Sequence, residues 1–171
     1  MNLKSVIREF PDFPKKGVLF RDISPVLKDP RALKFVVDQF YGIYKNKNVD
    51  LIAGIESRGF IFASALAIRF GKGCVMIRKQ GKLPGKTITL AYDIEYGSAT
   101  MEIQQDAVSK GQNVLIADDL IATGGTAKAA AQLIERLGGK VAGFAFVVEL
   151  GDLKGRDLIK NYEIHSLVSY T

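Results

Sequence analysis

Short apolar runs recur along this chain with longer segments of helical character between them, and this alternation narrows the fold more than any other feature. The runs are "VDLIAGI" (49–55), "CVMIR" (74–78), "NVLIAD" (113–118) and "VAGFAFVVEL" (141–150), with "HSLVSY" (165–170) as a last strand. Each is too short for a helix of ordinary length and too continuously apolar for a strand with one wet face. "RALKFVVDQFYGIYK" (31–45) has apolar residues near every 3.6 positions, and "GFIFASALAIRF" (59–70) and "GTAKAAAQLIERLG" (125–138) also read as helices. Gly71 suits a left-handed turn closing the second of them. Buried strands alternating with helices predict an α/β fold with a parallel core sheet flanked by helices on both faces. At 171 residues, one domain accounts for the whole length.

Two regions fall outside the alternation. "KSVIREF" (4–10) reads as a short amphipathic helix. The next twenty residues, "PDFPKKGVLFRDISPVLKDP" (11–30), hold four of the five prolines and predict an extended, turn-rich segment. A loop this long in a small domain is usually functional or disordered, and Phe10, Phe13, Leu19 and Phe20 argue for order. Further on, "TITLAYDIEY" (87–96) alternates as an exposed strand does, with "SATMEIQ" (98–104) as its hairpin partner across Gly97-Ser98. "LKGRDLIK" (153–160) reads as a short helix.

The chemistry concentrates in "VLIADDLIATGGT" (114–126). An apolar strand runs into two aspartates, and a turn of small residues leads into a helix. In open parallel sheets ligands sit at the carboxyl ends of the strands. Thr123, Gly124, Gly125 and Thr126 fall where unpaired N–H groups of a helix start carry partial positive charge. Glycines allow close approach and threonines add hydroxyls, a phosphate cradle. Neither a nucleotide P-loop motif nor Gly-x-Gly-x-x-Gly occurs. Asp118 and Asp119 would repel a phosphate, so they should face something else. A sugar diol fits, because each carboxylate accepts from a hydroxyl. The stretch as a whole fits a sugar phosphate; the plainer alternative is a turn with N-capping aspartates.

The net charge is +6, with 24 Lys and Arg spread along the chain and one denser stretch, "IRKQGKLPGK" (77–86). There is no basic tail or lysine run, so the balance points to a solvated basic surface or a polyanionic small molecule rather than nucleic acid. The longest apolar stretch, 59–68, falls well short of the roughly 20 residues that span a bilayer, and the N-terminal segment lacks the apolar core of a signal peptide. One cysteine, Cys74, cannot form an internal disulfide; it is expected to be buried, and a reducing cytoplasm is the expected location. The lone histidine, His165, lies away from every motif and is expected to be structural. With no cysteine–histidine cluster, a protein-held zinc site is not expected.

An apolar strand, two acidic residues and a Thr-Gly-Gly-Thr turn resemble the phosphoribosyl diphosphate (PRPP) motif of the type I phosphoribosyltransferases. "FPDFPKKGVLFRDISPVLKDP" (10–30), "AGIESRGF" (53–60), "RKQGKLPG" (78–85) and "IEYG" (94–97) resemble, in the same order, motifs of the adenine-specific members. The aspartate pair identifies only the superfamily, whereas the motifs together are highly specific and cover nearly the whole chain. The resemblance implies a type I phosphoribosyltransferase fold with an N-terminal hood (1–30) and a mobile hairpin lid (79–103). It implies conversion of adenine and PRPP to AMP and diphosphate in purine salvage, with Mg2+ arriving on the diphosphate, by a cytoplasmic homodimer.

Carried over residue by residue, the resemblance gives the 5′-phosphate to Ala122, Thr123, Gly124, Gly125 and Thr126, and the ribose hydroxyls to Asp118 and Asp119. The diphosphate falls to Ser57 and Arg58, with Lys79 and Lys82 of the lid. The loop at Glu56-Ser57-Arg58 is expected to contain a non-proline cis peptide. Adenine falls to main-chain groups at Leu19, Phe20 and Arg21, with the Phe20 ring stacking on the purine and Leu120 on its other side. The 6-oxopurine enzymes have an aspartate where this chain has Ala122; the resemblance therefore moves proton exchange at the purine N7 to Glu95. No metal-ligating side chain is implied. Two rival readings remain at this point: a phosphoribosyltransferase for another base such as xanthine, and a non-catalytic PRPP-sensing regulator. Ala122 and "VLFRDISP" speak against the first, and the lack of residues to spare for a DNA-binding domain against the second.

Overall fold

The computed structural model describes residues 1–93 and 97–171. After a 3-10 turn at Leu3–Ser5, β1 (Arg8–Pro11) and β2 (Leu19–Asp22) form a two-stranded antiparallel ladder in which Arg8 faces Asp22. The helix expected over residues 4–10 is therefore not formed. Seven residues gain too few hydrogen bonds to offset helix nucleation, and pairing with β2 satisfies the same backbone. The proline-rich segment is ordered, as Phe10, Phe13, Leu19 and Phe20 argued. Asp22 ties it down by accepting from Arg8 and from the amide and hydroxyl of Ser24.

The chain continues through α1 (Ser24–Lys28) and α2 (Pro30–Tyr44). Asp29 caps α2 by accepting the Arg31 amide at 2.8 Å, and Pro30 supplies the first helical φ. β3 (Leu51–Ile55), α3 (Gly59–Phe70) and β4 (Gly73–Lys79) form the first parallel crossover. α3 stops at Gly71, whose φ of 63° is the left-handed turn expected there. β5 (Thr87–Asp93) and β6 (Ser98–Gln104) make the expected antiparallel hairpin. β7 (Asn113–Ile121), α4 (Gly125–Arg136) and β8 (Lys140–Leu150) form the second crossover. Residues 151–153 and 155–159 are 3-10 helices, the second within the short helix expected over 153–160, and β9 (Ile164–Tyr170) ends the chain.

Seven strands align in the order β5-β6-β4-β3-β7-β8-β9, parallel from β4 to β9. Strand alternation divides the core. Ile52, Leu115, Ala117 and Val147 pack with Phe40, Phe62 and Leu66 of α2 and α3. Ala53, Ile116, Phe144 and Phe146 face Ala130, Leu133 and Ile134 of α4 on the other side. Burying a side chain such as Phe62 or Leu66 contributes about 1.5–3 kcal/mol.

Three expectations are corrected. β4 is largely exposed rather than buried, because its outer edge meets β6 only at Arg78 and Lys79. Cys74, on that uncovered stretch, is exposed rather than buried. β7 also runs past the aspartates to Ile121, where a strand over 113–118 was expected.

The register of β7 against β8 shifts between Val114 and Leu115, opposite Gly143. Tyr44, fully buried, donates its hydroxyl to the Phe144 carbonyl there at 2.8 Å. A Cβ on Gly143 would sit 2.6 Å from that hydroxyl, so the irregularity and the tyrosine are matched. Tyr44→Phe should leave a buried acceptor short of a donor and cost about 1–3 kcal/mol. Thermal unfolding should report a fall in Tm of several degrees, at about 2–4 °C per kcal/mol for a chain of this size.

Candidate active site

After β3 the chain crosses outward to β4, and after β7 it crosses the other way to β8. The two loops therefore separate at the carboxyl ends of adjacent strands and leave a crevice between them, the topological switch point where ligands bind in such sheets. A cavity of about 420 Å3 opens there. Its wall includes Glu56, Ser57 and Arg58 from the β3–α3 loop and Asp118 through Gly124 from β7 and the loop after it, with Thr126 behind them. Neither helix that starts at this crevice carries a side-chain cap: Arg58 occupies the N-cap of α3 and Gly124 that of α4. α2, elsewhere in the fold, is capped by Asp29. Two uncapped N-termini aimed at one cavity present amide donors to an anion.

Tight packing holds the two loops together. A Cβ on Gly59 would lie 2.8 Å from Asp118 Oδ1 and 2.9 Å from the Ala117 carbonyl, so only glycine lets α3 start against β7. Asp118 is partly buried there and accepts the Asp119 amide at 2.8 Å. Burial, and then repulsion from Asp119, pushes its carboxyl well above the usual carboxylate range. Asp119 is 6 % exposed and accepts Arg58 Nε at 2.5 Å. Burial disfavours the charge on Arg58, but Asp119 outweighs it and holds the guanidinium above its ordinary value. The Glu56–Ser57 peptide is cis, as expected from the resemblance.

The Ala122–Thr126 turn is supported from two sides. The Tyr92 hydroxyl of β5 lies 3.0 Å from Thr126 Oγ1, which sets the hairpin against the start of α4. From below, Gly155 meets the turn so closely that a Cβ on it would stand 2.2 Å from the Ala122 carbonyl. Gly124 has φ 83°, and a Cβ there would strike the Gly155 carbonyl at 2.2 Å. Arg156, next in sequence, forks onto both carboxylate oxygens of Glu149 at 2.9 and 2.6 Å and anchors this support to β8.

Most residues singled out in the sequence converge here. Ser57, Arg58, Lys79, Asp118, Asp119, Leu120, Ala122, Thr123, Gly124 and Thr126 line the cavity. Lys82 does not line it; it sits on the turn beyond Lys79. Leu19 is exposed at the start of β2. The Phe20 ring packs edge-on to Phe13 at 5.1 Å and lies 6.0 Å from the Arg58 guanidinium, which brings the N-terminal segment to the rim. The Arg21 side chain turns away, paired with Glu9 and stacked 3.8 Å over Tyr170, which leaves its main chain for any ligand. Glu95 lies outside the described residues. Tyr92, Gly59 and Gly155 went unnoticed in the sequence. Tyr92 alone carried a signal, as an aromatic on one face of an alternating strand; the glycines act through partners tens of residues away. His165 bonds Glu163 and packs edge-on to Tyr44, a structural place as expected.

Residues 24–169 match the model of the phosphoribosyl transferase domain. The chain is 60 % identical over 170 residues to the adenine phosphoribosyltransferase of Nitrosopumilus maritimus, covering 99 % of this chain and all of that protein. The crystal structure of adenine phosphoribosyltransferase from Thermoanaerobacter pseudethanolicus superposes with a TM-score of 0.95 at 48 % identity, over 98 % of this chain and 97 % of that one. The Saccharomyces cerevisiae enzyme, solved with an imino-altritol bisphosphate and adenine, gives a TM-score of 0.91 at 41 % identity over 96 % of each chain. The chain thus belongs to the type I phosphoribosyltransferases and, within them, to the adenine phosphoribosyltransferase family.

The aspartate pair should show in the pH dependence of stability. Asp118 has a folded pKa above its ordinary 3.8, so the native state holds this proton more tightly than the unfolded chain does. Its contribution to stability is complete below the ordinary value and is lost as pH rises from there through the raised one. Asp118→Asn keeps the acceptor for the Asp119 amide and removes the buried charge. The variant should melt a few degrees above the parent at pH 7, and the gap should shrink as pH falls toward 4. A gap of the same size at both pH values would mean that the buried charge is not its source.

Proposed function

We propose that this chain transfers the 5-phosphoribosyl group of PRPP to N9 of adenine, giving AMP and diphosphate, and thereby salvages purine base. One observation carries the reading: a phosphate-type turn, a carboxylate pair and an arginine-bearing loop meet in one cavity at the switch point of the sheet. The names of the relatives agree with it, and the yeast enzyme holds adenine in its crystal structure.

In this reading the 5′-phosphate lies on the amides of residues 122–126 at the start of α4, with the Thr123 and Thr126 hydroxyls beside it. The ribose hydroxyls face Asp118 and Asp119. Arg58 pairs with Asp119 in the free chain and turns to the diphosphate as the ribose arrives, joined by Ser57, Lys79 and Lys82. The guanidinium fork suits diphosphate oxygens. Holding N9 against C1′ supplies proximity, and cations and amides around the leaving group stabilise the charge that develops as the bond to C1′ loosens. A closed hairpin over the cavity keeps water from taking the ribosyl group.

Among the described residues no three His, Cys, Asp or Glu side chains are grouped to hold a metal. Mg2+ would come to the site carried on the diphosphate, keeping part of its water shell, and Asp118 and Asp119 would be the carboxylates available to it. When bound it neutralises charge on the departing diphosphate.

Adenine is read by main-chain groups at Leu19, Phe20 and Arg21, between the Phe20 ring and Leu120. A backbone carbonyl that accepts from the 6-amino group is left facing an oxygen when a 6-oxopurine enters. A homodimer is supported by Ile61, Ile68 and Met76, apolar side chains left exposed on α3 and β4 that a second copy would cover. A cytoplasmic setting agrees with a single free thiol, and no helix among the described residues is long and apolar enough to cross a membrane.

The test is a base panel with PRPP and Mg2+: adenine, hypoxanthine, guanine, xanthine and orotate. Adenine should exceed every other base by about 10²-fold or more in kcat/KM. Comparable turnover of a 6-oxopurine or of orotate would overturn the assignment of the base. Glu95 is the proposed acid–base group at N7, because Ala122 cannot carry the proton. Glu95→Gln should lower kcat by about 10²–10⁴-fold with little change in either KM. Single-turnover measurements separate this from a variant limited by product release; an adenine KM that rises alone would make Glu95 a positioning group.

A further inference from the structure

Glu102 lies in the middle of β6 and is 3 % exposed, yet it is a carboxylate outside the cavity wall. A buried charge is costly unless it is fully hydrogen-bonded. Here one oxygen, Oε1, accepts the amides of both Lys82 and Leu83 at 2.8 Å. Burial raises the carboxyl pKa, but the Leu83, Lys82 and Gly81 amides with the Thr87 hydroxyl more than reverse this and keep it ionised. The amide donors all belong to one turn, the one that follows Lys79 and carries Lys82.

Other bonds hang the same turn from β6. Gln80 donates its amide to the Thr100 carbonyl at 2.9 Å, and the Gln104 side chain donates to the Pro84 carbonyl at 3.1 Å. Arg78 pairs across the ladder with Glu102. Its Nε donates to Glu56 at 2.9 Å and its Nη1 reaches the Lys82 carbonyl at 3.4 Å. Glu56 opens the β3–α3 loop that contains Ser57 and Arg58. The turn with Lys79 and Lys82 is thus tied to β6 by Glu102 and to the Ser57–Arg58 loop by Arg78.

We propose that Glu102 is a positioning residue for PRPP. By clamping the 81–83 turn to β6 it sets the lysines of that turn at a fixed place relative to Ser57 and Arg58, with Arg78 as the bridge between the two loops. A leaf of backbone bonds alone would hold a hairpin; an ionised carboxylate in its interior is explained by amides that must stay in one place. The inference rests on the proposed diphosphate role of Lys79, Lys82, Ser57 and Arg58.

The experiment compares the full chain with Glu102→Ala, Glu102→Gln and Arg78→Met. KM is measured for PRPP and adenine separately, and trypsin cleavage after Lys82 is timed in the absence of substrates. Glu102→Ala should raise the PRPP KM about tenfold, or about 1.4 kcal/mol, with the adenine KM unchanged within about twofold. Cleavage after Lys82 should quicken. Glu102→Gln keeps an acceptor oxygen for the two amides and should recover most of the PRPP KM. Arg78→Met, a change at a partly exposed side chain, should raise the PRPP KM in the same direction. A folded Glu102→Ala variant with a parental PRPP KM, or one whose adenine KM rises in parallel, would overturn the proposal. If Glu102→Ala does not fold, a parental PRPP KM in Arg78→Met would do the same. Parent protein that turns over no adenine would instead refute the reading of the site. The trypsin arm would then still test the clamp, since equal cleavage rates in parent and Glu102→Gln and Glu102→Ala chains would refute it.

Discussion

The pairing of β3 with β7, Leu51 against Val114 through Gly54 against Ala117, brings together two loops more than fifty residues apart in sequence. Both strands end at the same edge of the sheet, and their crossovers leave in opposite directions. The cavity is the space between those departures. Two uncapped helix N-termini face it, and Gly59 lets α3 begin in contact with Asp118. A wider gap would separate the arginine from the aspartates, and a methyl group on Gly59 would displace Asp118. The amide donors that the site offers to an anion follow from this one register and the backbone it exposes.

Charge is arranged around that register with opposite consequences for stability and chemistry. Two adjacent carboxylates at the end of a buried strand repel each other, and Asp118 bears the desolvation. Arg58 relieves part of this by pairing with Asp119. The free chain therefore satisfies its aspartates internally with the same guanidinium proposed to meet the diphosphate. In the proposed reading, a sugar diol that replaces Arg58 at Asp119 frees a cation for the leaving group. On that reading ligand binding and redistribution of charge are one event, and the raised pKa of Asp118 is a local cost of the site.

Support for the site comes from elements that carry no chemistry. Gly155 under the Ala122 carbonyl, held by the Arg156–Glu149 fork, gives the 122–126 turn its floor. Tyr92 gives it a wall. Glu102 and Arg78 do the same for the turn after Lys79. Proximity catalysis tolerates little displacement, so such props matter as much as the groups they hold.

Local pattern determined a great deal here. The α/β alternation, the helices 59–70 and 125–136, the Gly71 stop, the hairpin across Gly97-Ser98 and the residues around the phosphate turn were all legible, because helix period, strand length and turn chemistry act within a few residues. The motif resemblance added the base and the reaction. Arg8–Pro11, inside or next to the expected helix, became a strand because Leu19–Asp22 offered hydrogen bonds. β4 and Cys74 lie exposed because the pairing with β6 reaches only Arg78 and Lys79, which composition does not decide. The Arg58–Asp119 pair, the Gly155 floor and the buried Glu102 belong to the tertiary structure alone. Their partners lie 61, 31 to 33 and 19 to 20 residues away, and no periodicity extends across such distances.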